Sequence, residues 1–294
     1  MLGDVLTAIV TPFKENGAVD YVAFRTLARY LVEHGSDGIV VTGSTGESAT
    51  LSDRERLLLY AAAVDEIGER ATVIAATGTY DTRHSVALTE QADNLGVDGF
   101  LIVTPYYSRP PARGILEHFK HITAVTDKPV LAYNIPARTG IKLEVETLSD
   151  LARIPNVQGV KQAFDDLDDA RRIVEETGLH LYAGDDHLLV PFLEVGGVGG
   201  ICVHSHLVGP VVKDMVRRFK EGDFPGAREI SESLEPVLDA IKVVQNPIST
   251  KAALNLVGHD VGAPRLPLVP ASPSEIAQIR AALERGGVLE RSRT

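Results

Sequence analysis

The chain has one cysteine, Cys202, among 294 residues, which excludes an intrachain disulfide and any metal centre built from clustered thiolates. Basic residues are in the minority, 29 against 40 acids for a net charge of -11, so a nucleic acid or other polyanionic partner is disfavoured. Apolar runs are short and broken by glycine; none approaches the roughly 20 residues that cross a bilayer, and no membrane segment is expected. The opening stretch, "MLGDVLTAIVTPF", lacks the basic n-region and long apolar core of a secretion signal, so the expected location is the cytosol. Two nucleotide-binding signatures are missing as well. The first strand-like run is followed by "TPFKENG" rather than a Gly-rich dinucleotide turn, and the turn "GSTGES" (43–48) carries Glu47 where a P-loop has lysine.

What remains is a strict alternation. Strand-like runs at 6–13, 38–43, 72–78, 99–105, 129–135, 157–163, 179–185 and 200–205 are separated by amphipathic stretches such as "YVAFRTLARYLVEHG". Ser52, with Glu55 three residues on, opens the next of these with a capping box. Eight βα units predict an α/β protein of the TIM (β/α)8 barrel type rather than an open doubly wound sheet. The barrel spans residues 1–222, and residues 223–294, helical in pattern and without a strand signal, form a C-terminal helical appendage.

In this fold chemistry sits where strands end, and the residues there are rich in hydroxyls and poor in acids suited to catalysis. Lys161, in "NVQGVKQAF", is the unusual one. A lone strand lysine fits an outward residue whose stem lies along a helix. Parity argues for the inward face, shared with Val157, Gly159 and Ala163, with Val160 left to the helices. An apolar interior disfavours the charged form of an amine, the condition for attack on a carbonyl. Leu131 and Tyr133 of the preceding strand point inward too, which places a phenol beside Lys161 as a core tyrosine, a proton shuttle or both. "GSTGES" offers backbone N–H groups and hydroxyls to a small carboxylate, and fits equally a plain turn before a helix capped by Ser48 or Ser52. In "HSH", His204 and His206 share a strand face and with Asp185 or Asp186 could hold zinc; Asp186 is better explained as the N-cap of "HLLVPFLE", and no metal is expected. "GGVGG" (196–200) falls where barrels often bind phosphate, but no lysine or arginine stands beside it.

"GSTGES", "VTPYY", "YNIPARTG", "GVKQAF" and "AGDDHLLVPFLEVGGVGGI" together, in order along nearly the whole chain, resemble the dihydrodipicolinate synthase and N-acetylneuraminate lyase family of class I, Schiff-base-forming pyruvate aldolases. The resemblance implies that Lys161 forms an imine with pyruvate, that Tyr133 shuttles protons, and that the turn at Ser44 and Thr45 holds the pyruvate carboxylate. It implies further that Tyr107 completes a proton relay through Ser44 across a subunit interface, and that Gly184 and Ile201 line the site with backbone groups. Arg138 points to the synthase branch, in which it holds the carboxylate of aspartate semialdehyde. No cofactor is implied, the partners are small molecules, and the expected assembly is a homo-oligomer, a dimer of dimers. An aldolase for 2-keto-3-deoxy sugar acids and a barrel that binds oxo acids without turnover stay open as alternatives.

Three departures accompany the resemblance. Ser44 stands where the synthases commonly have threonine, and His204 and His206 replace smaller polar residues. Members inhibited by lysine use a pocket near the dimer interface; Ser48, Ala49 and Tyr106 match it, whereas His84, Asp53 and Arg56 depart from it. Weak or absent inhibition by lysine is the expectation.

Overall fold

The structure, a computed structural model, describes residues 2–291. Its strands are β1 (Val5–Ala8), β2 (Gly38–Val41), β3 (Thr72–Ala76), β4 (Gly99–Val103), β5 (Val130–Asn134), β6 (Val157–Gln162), β7 (His180–Ala183) and β8 (Gly199–Cys202). All pair in parallel with their sequence neighbours, and β1 pairs with β8, which closes the barrel. Inward residues such as Leu6, Val40, Ile74, Leu101, Leu131 and Ile201 form one apolar cluster inside it. Outward residues of the same strands, among them Val73, Phe100, Ala132 and Val160, join the helices in a second cluster. This is the two-faced burial that parallel strands need. The capping box of the helix Asp53–Ile67 forms as its sequence requires, with Ser52 and Glu55 exchanging bonds.

Two local expectations are corrected. β1 ends at Ala8 instead of running to residue 13; Pro12 has no N–H to offer a ladder, and Phe13 leaves to bridge Val19. In β6 the parity counted from Val157 breaks. Val130 pairs with Val157 but Leu131 pairs with Gly159, so Gln158 is an extra, exposed residue and Val157 packs among the helices. Beyond that bulge Gly159, Lys161 and Ala163 take the inward face, as expected of them, and Val160 the outer one.

After the helix Ser205–Lys220 come Phe224–Ser233, Glu235–Lys242, Ile248–Leu256, Pro273–Arg285 and Val288–Arg291. The division at 222/223 falls in the turn before the first of these, and residues 1 and 292–294 lie outside the described residues. Val237, Leu254, Ile279 and Leu283 bury themselves in the same cluster as the barrel helices, so the appendage shares the barrel's core.

A polar clamp adds to that contact. Lys251 and Glu47, with side chains 1% and 0% exposed, pair at 2.6 Å. The Arg265 backbone N–H donates to Glu47 Oε2 (2.9 Å), while its guanidinium donates to the carbonyls of Gly17 and Thr50 and to Glu55. Both cations lie over the Phe13 ring, at 4.1 and 4.3 Å. Burial holds the Lys251 ammonium down to about 8 against the pull of Glu47. The Arg265 hydrogen bond draws Glu55 from 4.5 to about 2, so this contact contributes stability above pH 4.5 that fades as pH falls toward 2. Glu47 needs the clamp because it belongs to a turn entered through Thr42 (φ 55°) and is itself left-handed (φ 56°). Lys251→Met should cost about 3 kcal/mol by stranding a buried carboxylate. Adding Glu47→Gln should recover much of that loss, and thermal or urea unfolding of the single and double variants measures both.

Candidate active site

The strands all end at one rim, and there a cavity of about 140 Å³ is lined by Ser44, Thr45, Tyr133, Arg138, Lys161 and Gly184, with Asp185, Asp186, Val203, Lys242 and Asn246 among its other walls. Tyr133 of β5 and Lys161 of β6 are register partners, and the Lys161 Nζ lies 4.5 Å from the centre of the phenol ring. Lys161 is 5% exposed, and no carboxylate among the described residues pairs with it. On its other side β7 presents Tyr182. The strands around the amine pack too closely for larger residues at two positions: a Cβ at Gly184 would come within 2.8 Å of the Ala163 Cβ, and one at Gly159 within 2.8 Å of Leu131. The Tyr133 backbone carbonyl accepts from both the N–H and the hydroxyl of Thr104, at 3.1 and 3.0 Å. One residue further on, the Asn134 amide donates to Gln162 (2.8 Å) and exchanges bonds with Leu143, which locks the two strands beside the lysine.

The expected residues do not all converge. Ser44, Thr45, Tyr133, Arg138, Lys161 and Gly184 share the cavity. Ile201 lies in the barrel's interior cluster, and the wall on the β8 side is Val203 instead. Tyr107 is 93% exposed, with φ 69°, and does not reach Ser44 within the chain. Its neighbour Tyr106 packs edge-on against Tyr80 and lines a second cavity of about 300 Å³, which shares Ser44 and Arg138 with the first.

The histidine pair is also corrected. β8 stops at Cys202, so His204 and His206 sit in the turn that opens the helix Ser205–Lys220 and have separate surroundings. The His206 Nδ1 donates to the Val203 carbonyl and its Nε2 accepts from the Val10 N–H; burial holds it down to about 4, a neutral ring. His204 instead meets Asp186, with Nδ1 and Oδ1 2.5 Å apart. Asp186 does not cap "HLLVPFLE"; its carboxylate crosses to the end of β8 and accepts the N–H groups of Val203 (2.7 Å) and His204 (2.8 Å). Burial pushes this carboxyl up, but His204 and the two N–H groups outweigh burial and hold it well below the usual carboxylate range. Donor atoms of Asp186, Cys202 and His204 lie within 4.8 Å of one another, a spacing open to a metal ion. Asp186 is already committed to His204 and to the two backbone N–H groups, and that set anchors the loop after β8. "GGVGG" runs into the start of β8, whose first residues are Gly199 and Gly200, and so lies at the opposite rim from the cavity, where a Cβ at Gly199 would meet the Asp4 carbonyl at 2.0 Å.

Sequence reasoning missed Asn246. Its amide donates to the Thr45 hydroxyl (2.9 Å), its backbone carbonyl accepts from Arg138 (3.0 Å), and its Oδ1 accepts from Thr250 (2.8 Å). One residue of the C-terminal region thus sets both groups expected to hold carboxylates. The Asn-Pro pair in "VVQNPIST" marks a turn and was the available signal.

A closed (β/α)8 barrel with a buried lysine and a tyrosine side by side at its carboxyl rim is the architecture of a class I, Schiff-base aldolase-type enzyme. The model of the Dihydrodipicolinate synthetase family matches residues 1–285, and the chain belongs to that family. It is 45% identical over 289 residues to the 4-hydroxy-tetrahydrodipicolinate synthase of Moorella thermoacetica, covering 98% of this chain and 99% of the relative. Among solved structures, the synthase of Cyanidioschyzon merolae with lysine bound superposes with a TM-score of 0.96 at 41% identity, covering 98% of this chain and 99% of that one. The chloride-inhibited enzyme of Acinetobacter baumannii complexed with pyruvate gives a TM-score of 0.94 at 30% identity, covering 98% and 100%. Asn246→Ala should lower kcat/KM for both substrates about ten-fold by loosening Thr45 and Arg138 while leaving the fold intact, measurable by steady-state kinetics beside a thermal melt.

Proposed function

We propose that the chain condenses pyruvate with L-aspartate 4-semialdehyde to 4-hydroxy-tetrahydrodipicolinate, a step toward lysine and diaminopimelate, through a Schiff base on Lys161. The observation that carries this reading is a primary amine, almost wholly removed from water and without an acid partner among the described residues, against a phenol at the rim of the barrel. The uncharged amine attacks C2 of pyruvate, and the carbinolamine loses water to give the imine, with Tyr133 delivering and removing protons. Hydroxyl and N–H groups at Ser44 and Thr45 receive the pyruvate carboxylate. The protonated imine is the electron sink for loss of a proton from C3. The resulting enamine attacks the aldehyde carbon, and the amino group of the second substrate then displaces Lys161 to close the ring. Arg138, whose guanidinium among the described residues donates only to the Asn246 carbonyl, is the cation assigned to the second substrate's carboxylate.

Tyr107 belongs to this scheme only if a second copy of the chain supplies it, and its exposure at 93% supports a homo-oligomer in which it crosses to a neighbour's Ser44. Borohydride with pyruvate should leave an adduct on Lys161 by mass spectrometry. Lys161→Ala should lose both the adduct and at least about a thousand-fold in turnover; undiminished turnover would sink the assignment.

Inhibition by free lysine should be weak or absent. The second cavity is lined by Ser48, Ala49 and Tyr106, but also by Arg56, a cation of the same sign as the ammonium, and Asp53 is taken by His84 at 2.8 and 2.9 Å. A steady-state assay with lysine as the varied ligand checks this, and strong inhibition would overturn it.

A further inference from the structure

The chain carries more acids than bases, and most of its surface cations are spent on those acids. Three that line the catalytic cavity are not: Lys161, Arg138 and Lys242 have no carboxylate within ion-pair distance among the described residues. Lys161 is needed for the imine and Arg138 is assigned above. Lys242 has no part in that scheme. It ends the helix Glu235–Lys242, is exposed, and lines the cavity four residues before Asn246, the residue that holds Arg138. Its ammonium lies 3.3 Å from His187 Nδ1, and the other ring nitrogen of His187 lies 3.8 Å from Asp165. That contact holds the ammonium at the rim through a ring nitrogen and leaves its charge uncompensated. Of the acids in the cavity wall, Asp186 is committed to the loop after β8, and Asp185 lies beyond ion-pair distance of all three cations.

We propose that Lys242 is a specificity-determining residue of this site. With Arg138 it forms a two-cation rim that binds the carboxylate of the aldehyde substrate, and His187 orients it there. The proposal rests on the functional reading above and deepens it. The second substrate is selected as an anionic aldehyde by two charges from different parts of the chain, one in the loop after β5 and one in the C-terminal helices. Pyruvate, held deeper at Ser44 and Thr45, does not meet Lys242.

The test compares the full-length enzyme with Lys242→Met and Lys242→Arg, both exposed changes that the fold accommodates, using pyruvate and aspartate semialdehyde. In Lys242→Met the aldehyde KM should rise about ten-fold, with kcat, the pyruvate KM and borohydride labelling of Lys161 unchanged. Lys242→Arg should restore the aldehyde KM. Added salt should raise the aldehyde KM of the wild type more than that of Lys242→Met. An unchanged aldehyde KM, a rise shared with pyruvate, or a rise that arginine does not reverse would each overturn the assignment, the last two marking a merely structural role. Labelling and turnover of the wild type are measured first. Their failure takes down the functional reading and this proposal with it, whereas a null result confined to the variants bears on Lys242 alone.

Discussion

The site depends on the register between β5 and β6. Tyr133 faces Lys161 because Leu131 pairs with Gly159, and that pairing exists because one residue, Gln158, is pushed out of the ladder. A slip of one residue would send the amine into the helical layer and Val160 into the barrel. The bonds of Asn134 to Gln162 and Leu143 oppose such a slip just beyond the lysine. Once the amine is held inside, it lies against the Tyr133 ring at the wall of the cavity. The chemistry proposed for the cavity is in that sense a property of strand pairing.

A second dependence runs between the two ends of the chain. The turn carrying Ser44 and Thr45 contains left-handed residues, and Glu47 within it is buried. Lys251 pairs with that carboxylate and the Arg265 backbone N–H donates to it, while Asn246 reaches to Thr45 and Arg138. Barrel loops supply the reactive groups, and the C-terminal helices hold them at working distance. The two regions share one apolar cluster as well as one site.

Much of this was legible beforehand. Eight strand runs at regular spacing yield the barrel, because an α/β chain of this period has few other ways to bury both faces of its sheet. Lys161 and Tyr133 were found by period-two counting, although the count from Val157 reached the right answer for Lys161 across a bulge that alternation alone does not reveal. Motifs brought Ser44, Thr45, Arg138 and Gly184 to one cavity, where the structure also has them. The failures share a cause. Asp186, Asn246 and Lys251 act across long separations in the chain, and local rules assign a residue to its own neighbours. Asp186 looked like a helix cap because a helix follows it; its partners are at the end of the next strand. His204 and His206 looked like a pair because strand geometry was extended past Cys202, where β8 ends.

The clamp on Glu47 has a temporal side. Arg265 follows Glu47 by 218 positions, so during synthesis every strand has left the ribosome before the groups that brace the turn exist. A chain ending at Lys220 would have every strand but neither Lys251 nor Arg265 to meet the Glu47 carboxylate. Bracing of the turn that carries Ser44 and Thr45 therefore waits on the C-terminal helices.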